Sequence, residues 1–453
     1  MILNNNNPSD KRKYPDRWRM IKGKFIFKTV DELSIDGSEE LLTVSHITGI
    51  TPRKNKNVSM FKSESLVGYR KVEIGDIASN TMWMWQGAIG VSKYSGVISP
   101  AYNVYRQKEI IYDPEFLDYL LREKTLVHVY HSLSTGIRPS RLRLYPDQFL
   151  SIEFPVPCLD EQKQIVGYIK WKTSFINKKI NEIQKKIELL QEAKVILIQN
   201  CVTRGLKTDI SYKESGNQFI GGIPENWLVY PLKYVASIYT GDSISDSEKD
   251  NYLEKTDIPY IATKDIDGIL SIADYDNGLY VQKDSDFRIA PKGASLVCIE
   301  GGSAGRKKAL LSRDVAFVNK LCAFVPYKIE SRYLFYYLSS PAFVYQFRKS
   351  MTGMIGGVSV GRIKQLSLPL PTESEQIEIS DFLDDKCSKL NNEIVNLQKL
   401  IKLLQEGKSS LLTSVLTGDI DTRNIQIPDY EDIDELINDD IYEQEVLEGE
   451  VIL

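Results

Sequence analysis

With 453 residues, 42% of them hydrophobic, the chain has enough apolar material for two or more packed domains. Five scattered cysteines, odd in number and without a CxxC, argue against a disulfide framework and against a zinc site. No apolar run approaches the roughly 18 residues of a spanning helix, and the opening "MILNNNNPSDKRKYPDRW" lacks a signal-type apolar stretch, so a cytosolic chain is expected. The formal net charge of −4 is split unevenly: from Asn424 onward there are 11 acids and no Lys or Arg, leaving residues 1–423 with 57 basic against 50 acidic groups. A mildly basic body with an acidic tail is compatible with a polyanionic partner.

In chain order, residues 1–154 are Gly-punctuated and rich in short Val/Ile/Tyr strand patterns, followed by a small helix, "PEFLDYLLR", at 114–122. "STGIRPSRLR" at 134–143 then brings three arginines, Arg138, Arg141 and Arg143, into one loop. "DPEF" at 113–116 lacks the second proline of an amino-methyltransferase motif, and His128 and His131 have no third ligand nearby, which favours a solvated helix face. Asp147, Glu161 and Lys163 formally match a metal-dependent nuclease pattern. Glu161, however, opens a long helix, and its counterpart Glu375 is followed by no lysine, so no catalysis is expected of this chain.

Residues 155–210 and 368–423 are a gapless internal repeat. "FPVPCLDEQKQIVGYIK" from Phe154 lies on "LPLPTESEQIEISDFLD" from Leu368, and "ELLQEAK" at 188–194 on "KLLQEGK" at 402–408. In the first copy Ile176, Ile180, Ile183, Ile187 and Leu190 follow a 4,3,4,3 spacing; in the second Leu390, Ile394, Leu397, Ile401 and Leu404 do the same. That 3.5-residue period predicts a coiled-coil seam in each. Thr372 and Glu375 form a capping-box pattern at the start of the second helix, and "TRG" and "TG" end the two. Lys194 and Lys408 sit at the same seam position, which predicts that the two helices set a register with each other.

Residues 211–367 repeat the character of the first half: "SRYLFYYLSS" at 331–340 is its aromatic small helix. "EGGSAGRKKA" at 300–309 has no G-K-[ST] and so is no nucleotide loop; it reads as a Gly-rich turn carrying Arg306, Lys307 and Lys308 towards a polyanion backbone, or else as a structural turn with solvated charges. "MTGMIGGVSVGRIK" at 351–364 adds Arg362. The acidic segment 424–453 reads as a disordered tail.

The globular–helix–globular–helix order, the "GGIPENWLVYPLKYVASIYTGDSIS" opening of the second half and the P-x-P…EQ…I junctions resemble the DNA-specificity subunits of type I restriction–modification systems, over about residues 15–423. The first half departs from that opening, beginning "WRMIKGKFIFKTVDELS". The resemblance implies an α+β fold with two target-recognition domains, each reading one half of a split DNA site, alternating with two long helices that pair antiparallel and hold the domains about one DNA turn, roughly 34 Å, apart. It also implies docking of modification subunits that carry S-adenosylmethionine and methylate adenine, and of a restriction subunit that uses ATP and Mg²⁺. Two other readings stay open: a coiled-coil scaffold without a DNA role, and a self-contained Mg²⁺-dependent nuclease.

Overall fold

A computed structural model describes residues 14–434 apart from 47, 56–64, 137–141, 246, 257, 283–284 and 352–355. The chain is α+β and forms two compact units, residues 1–183 with 400–453 and residues 184–399. Each unit thus joins one globular domain to a stretch of both repeated helices.

Unit 1 is built on strands β1 (Phe27–Thr29), β2 (Ile77–Ser79), β3 (Ile89–Val91) and β4 (Asn103–Gln107), in the antiparallel order β1-β4-β2-β3. Helices α1 (Pro114–Leu121) and α2 (Lys124–Leu133) cover it. Asp113 caps α1 by accepting from the Glu115 and Phe116 amides, and Pro114 at the first helical position needs no amide partner. Phe116, Leu117, Leu120 and Leu121 are fully buried against Phe27, Tyr112, Phe149 and Phe154 in one core. The long helix α3 (Leu159–Arg204) begins in this unit.

Unit 2 repeats the plan. Strands β5 (Ala236–Thr240), β6 (Ser295–Cys298), β7 (Lys308–Leu310) and β8 (Leu321–Pro326) form an antiparallel sheet in the order β5-β8-β6-β7, the same as in unit 1. Helices α4 (Ser331–Ser339) and α5 (Pro341–Lys349) cover it, capped by Glu330 and Ser340, and the second long helix is α6 (Glu373–Leu416). Unit 2 also holds a second four-stranded sheet, with Ile258–Ile261 and Val315–Phe317 paired in parallel at its centre.

The repeated junction letters have matching structural roles. Gln162 is completely buried; its Nε2 donates to the carbonyls of Pro157 (2.9 Å) and Ile111 (3.0 Å), and its Oε1 accepts from the Asp113 amide (2.8 Å). Gln376 repeats this in unit 2, donating to Pro371 O (2.9 Å) and accepting from the Glu330 amide (2.8 Å). A buried amide side chain offers donor and acceptor together, so one residue ties the long helix to the cap of the small helix. The Thr372–Glu375 capping box is formed, with Thr372 N to Glu375 Oε2 at 3.1 Å and Glu375 N to Thr372 Oγ1 at 3.4 Å.

The first half also shares more of the opening than its sequence suggests. Trp18 N donates to Pro15 O and Trp227 N to Pro224 O, each at 2.9 Å, so "YPDRW" forms the same turn as "IPENW". The strand after each turn pairs with the strand that leads into the long helix, Arg19–Lys22 with Glu153–Val156 and Leu228–Pro231 with Ser367–Leu370. Each tryptophan lies against the glycine that ends a long helix, Trp18 at Gly418 and Trp227 at Gly205, both in the left-handed region at φ +80° and +74°.

All ten seam residues are buried or half-buried: Ile176, Ile180, Ile183, Ile401 and Leu404 in unit 1, Ile187, Leu190, Leu390, Ile394 and Leu397 in unit 2. The seam lysines find identical partners. Lys408 Nζ donates to Asn177 Oδ1 (2.7 Å) in unit 1, and Lys194 Nζ to Asn391 Oδ1 (2.8 Å) and Ile269 O (3.1 Å) in unit 2.

The tail departs from the expectation of disorder as far as residue 434. Gln164 Nε2 donates to the carbonyls of Thr422 (3.0 Å) and Ile425 (2.7 Å), Asn177 Nδ2 to Ile433 O (2.7 Å) and Asn181 Nδ2 to Asp434 O (3.1 Å). Polar side chains along α3 supply the partners for the tail's backbone, while Ile425 and Ile427 pack on the unit 1 core. Residues 435–453 lie outside the described residues.

Candidate nucleic-acid interface

In unit 2 the loop from β6 to β7, Ile299–Lys307, gathers three other segments. Ile299 N donates to Lys320 O (3.0 Å), Val358 N to Ile299 O (3.1 Å) and Gly301 N to Gly356 O (3.2 Å), and Lys307 Nζ reaches Thr263 O (3.2 Å). Gly301 and Gly305 hold φ of +79° and +72°, values that only glycine adopts without strain. At Gly305 a Cβ would also meet Phe347 Cδ1 at 3.0 Å, so the loop lies tight on α5. The convergence exposes Lys264, Arg306, Lys320 and Arg362 and half-exposes Lys307, with Glu300 as an exposed acid among them. Arg306 donates to Gly302 O and Arg362 to Ser350 O (3.0 Å), which orients both guanidinium groups.

Lys308 does not belong to this surface. It is the first residue of β7, its side chain turns inward, and only 6% of it is exposed. Its Nζ donates to Leu338 O (2.9 Å) at the C-terminal end of α4, where a helix leaves carbonyls unpaired. Burial, with the charges of Arg348 and Lys194 beside it, pushes its pKa down to about 7. Strand alternation separates it from its neighbours in the "RKK" run: position 308 starts the pleat and faces the core.

In unit 1 the matching loop from β2 to β3, Asn80–Ala88, has the same position in the sheet and carries aromatic side chains. Trp83 stacks on His46 (centroids 6.4 Å, planes 12° apart) and on Trp85 (6.4 Å, 13°), and His131 of α2 meets Trp85 edge-on at 5.8 Å. Trp83 and Trp85 stay half-buried while Met84 between them is in the core. A polar group lies alongside: Asn80 Nδ2 donates to Tyr102 OH (2.9 Å), Asn103 Nδ2 to Thr81 Oγ1 (3.1 Å) and Thr81 Oγ1 to Ala101 O (2.7 Å). Exposed Arg143 is brought to this loop by the backbone pairing of Arg143 with Thr135 and of Leu144 with Thr81. Arg138 and Arg141 lie outside the described residues. His128 and His131 are exposed on α2, as a solvated face requires, although His131 also closes the aromatic row.

Glu161 of the nuclease-like pattern is engaged elsewhere. Glu161 is buried and accepts from Arg17 Nε (3.1 Å) and Nη2 (2.7 Å), an anchor between the N-terminal turn and α3. Among the described residues no group of three or more His, Cys, Asp or Glu side chains is arranged to hold a metal ion, and no helix is long and apolar enough to cross a membrane.

Residues 224–405 match the family model described as the type I restriction modification DNA specificity domain. Over 420 residues the chain is 26% identical to the type I restriction enzyme MjaVIII specificity subunit of Methanocaldococcus jannaschii, covering 90% of this chain and 92% of that one. A putative MjaX specificity subunit of the same organism is 26% identical over 392 residues, covering 80% and 82%. Residues 224–405 thus match a type I specificity domain, and most of the chain is similar to type I specificity subunits. One solved chain, from work on complex assembly and conformational transition of the type I R-M system, shares the fold: TM-score 0.59 at 16% identity, covering 90% of this chain and 99% of that one.

The cluster holds Arg306, Lys307 and Arg362, which the sequence had singled out, together with Lys264 and Lys320, which it had not. Those two come from distant loops and meet the glycine-rich turn only in the fold. Trp83 and Trp85 went unremarked because a W-M-W run beside a strand reads as core, and only the middle residue is.

Proposed function

We propose that this chain is the non-catalytic DNA sequence-recognition subunit of a type I restriction–modification complex and that each globular domain reads one half of a bipartite site. What carries the reading is the repetition itself: one antiparallel sheet order occurs twice, each time with a long loop between the same two strands and each time fastened to a long helix by a buried glutamine. In unit 2 Arg306, Lys307, Lys264, Lys320 and Arg362 would meet phosphates; in unit 1 Arg143 would do so, with Arg138 and Arg141 on the same loop. The long helices act as an antiparallel coiled coil that sets the gap between half-sites. Two bonds support this pairing: Lys194 follows Asn177 by 17 residues and Lys408 follows Asn391 by 17, and each lysine bonds the asparagine of the other helix. Adenine methylation would belong to modification subunits that hold S-adenosylmethionine, and cleavage to a restriction subunit with ATP and Mg²⁺.

Duplex binding by the full chain at increasing salt tests the reading. Affinity should fall steeply and log-linearly with salt, and the Arg306→Ala, Lys307→Ala double variant should weaken binding on every sequence. Its salt slope should drop by about one for each phosphate that is no longer neutralised. Binding that ignores salt would leave the scaffold reading in its place.

A further inference from the structure

The two recognition loops have diverged in chemistry, and unit 1 carries no cation between β2 and β3 where unit 2 has Arg306 and Lys307. We propose that the aromatic row His46–Trp83–Trp85–His131 is the surface with which unit 1 reads thymine, through apolar contact of its indole rings with the thymine 5-methyl group in the major groove. The inference rests on the DNA-recognition reading above.

Three observations carry it. The row occupies the position in its sheet that the basic loop occupies in unit 2: both loops run between equivalent antiparallel strands. The loop is already closed without the rings. Asn80 N bonds Ala88 O (2.9 Å), Trp83 N bonds Asn80 O (3.1 Å), Gly87 N bonds Met84 O (2.9 Å) in the left-handed region at φ +91°, and Met84 plugs it into the core. The indoles are therefore not needed to fill space, yet they are held in a fixed file, with Trp85 Nε1 donating to Met82 O (2.9 Å). Finally, the surroundings suit a base edge flanked by phosphates: Thr81, Asn80, Asn103 and Tyr102 form the polar group beside the rings, and Arg143 borders the loop.

In the major groove thymine differs from cytosine at this edge by its methyl group and O4, and an apolar, rigid surface gains from the methyl only. Rings held in place beforehand lose little conformational freedom on contact.

The test uses the full chain and the duplex carrying its site as mapped from methylated adenines. Each thymine is replaced in turn by deoxyuridine, which removes the methyl group and nothing else. At one or more thymines of one half-site, wild-type binding should weaken by about three- to fivefold, the worth of one buried methyl. In Trp83→Ala and Trp85→Ala, or in the milder Trp83→Leu if either fails to fold, the penalty at those thymines should disappear while dependence on the other half-site stays. Uridine tolerated at every thymine by the wild-type chain overturns the inference. So does a penalty that survives in the tryptophan variants. A chain that binds no duplex sinks the DNA reading itself, a separate result visible before any base is replaced.

Discussion

Unit 1 and unit 2 fasten their globular domains to the long helices with the same geometry and opposite charges. In unit 1 Lys170 of α3 bonds Glu115 of α1, Nζ to Oε1 at 2.6 Å; in unit 2 Asp384 of α6 bonds Arg332 of α4, Oδ2 to Nη1 at 2.7 Å. Lys170 and Asp384 are repeat partners 214 positions apart, and Glu115 and Arg332 each stand two residues after the cap of their helix. The hydrogen-bonded joints, by contrast, keep their residues: the buried Gln162 and Gln376, and Asn177 and Asn391 with the half-buried Lys194 and Lys408. A buried donor–acceptor pattern tolerates few substitutes, because an orphaned polar group costs on the order of 1–3 kcal/mol. A half-exposed ion pair needs only opposite signs, so it can drift or invert. Exchanging the partners would set Lys170 against Arg332 and Asp384 against Glu115, like charges in both cases.

The comparison breaks most severely at the seam. Ile180 and Ile394 are both fully buried, one in each unit. Placing aspartate at either position should cost several kcal/mol, since a buried carboxylate there has no partner. Thermal unfolding followed by circular dichroism should show both variants falling by similar amounts; a large loss for one and none for the other would mean that the two seams are not equivalent.

A difference between the units appears at Lys308, which has a hydrophobic counterpart in Ile89 on β3. Its folded pKa, pushed down to about 7, lies below the ordinary lysine value of roughly 10.4. Between those values the unfolded chain holds a proton that the folded chain does not, so this group makes stability rise with pH across that window. Its penalty is greatest at and below pH 7. Lys308→Met should therefore raise the melting temperature most at low pH and flatten the rise between pH 7 and 9, measured against the wild-type chain at each pH.

How much of this was legible in the sequence varied with the kind of signal. The long helices were readable because a 3.5-residue apolar period and an ungapped repeat leave few alternatives, and the buried glutamines were visible as the shared "EQ" although their function was not. The opening of the first domain was not recognised: only Pro15 and Trp18 of "YPDRW" match, and it took the 2.9 Å turn bond to make them equivalent to Pro224 and Trp227. Lys308 was misplaced because a run of three basic residues hides the point where a loop becomes a strand. The surface cluster of unit 2 depends on loops from four parts of the chain, a non-local fact that no window of sequence contains.

The smallest effect concerns the inverted bridges. Lys170→Glu should lower the stability of unit 1 by about 0.2–1 kcal/mol, less at high salt, and adding Glu115→Lys should restore it. Chemical denaturation of the single and double variants measures this. A double variant no better than the single would show that the pair contributes nothing through charge.

The central claim is that each unit reads its own half of the site. It is tested most directly by mapping methylated adenines in cells that carry this chain with its modification partners, before and after residues 232–366 are exchanged for the matching segment of a relative. The account predicts a bipartite motif in which one half changes and the other half and the spacer stay the same. A change in both halves, or in neither, would contradict it.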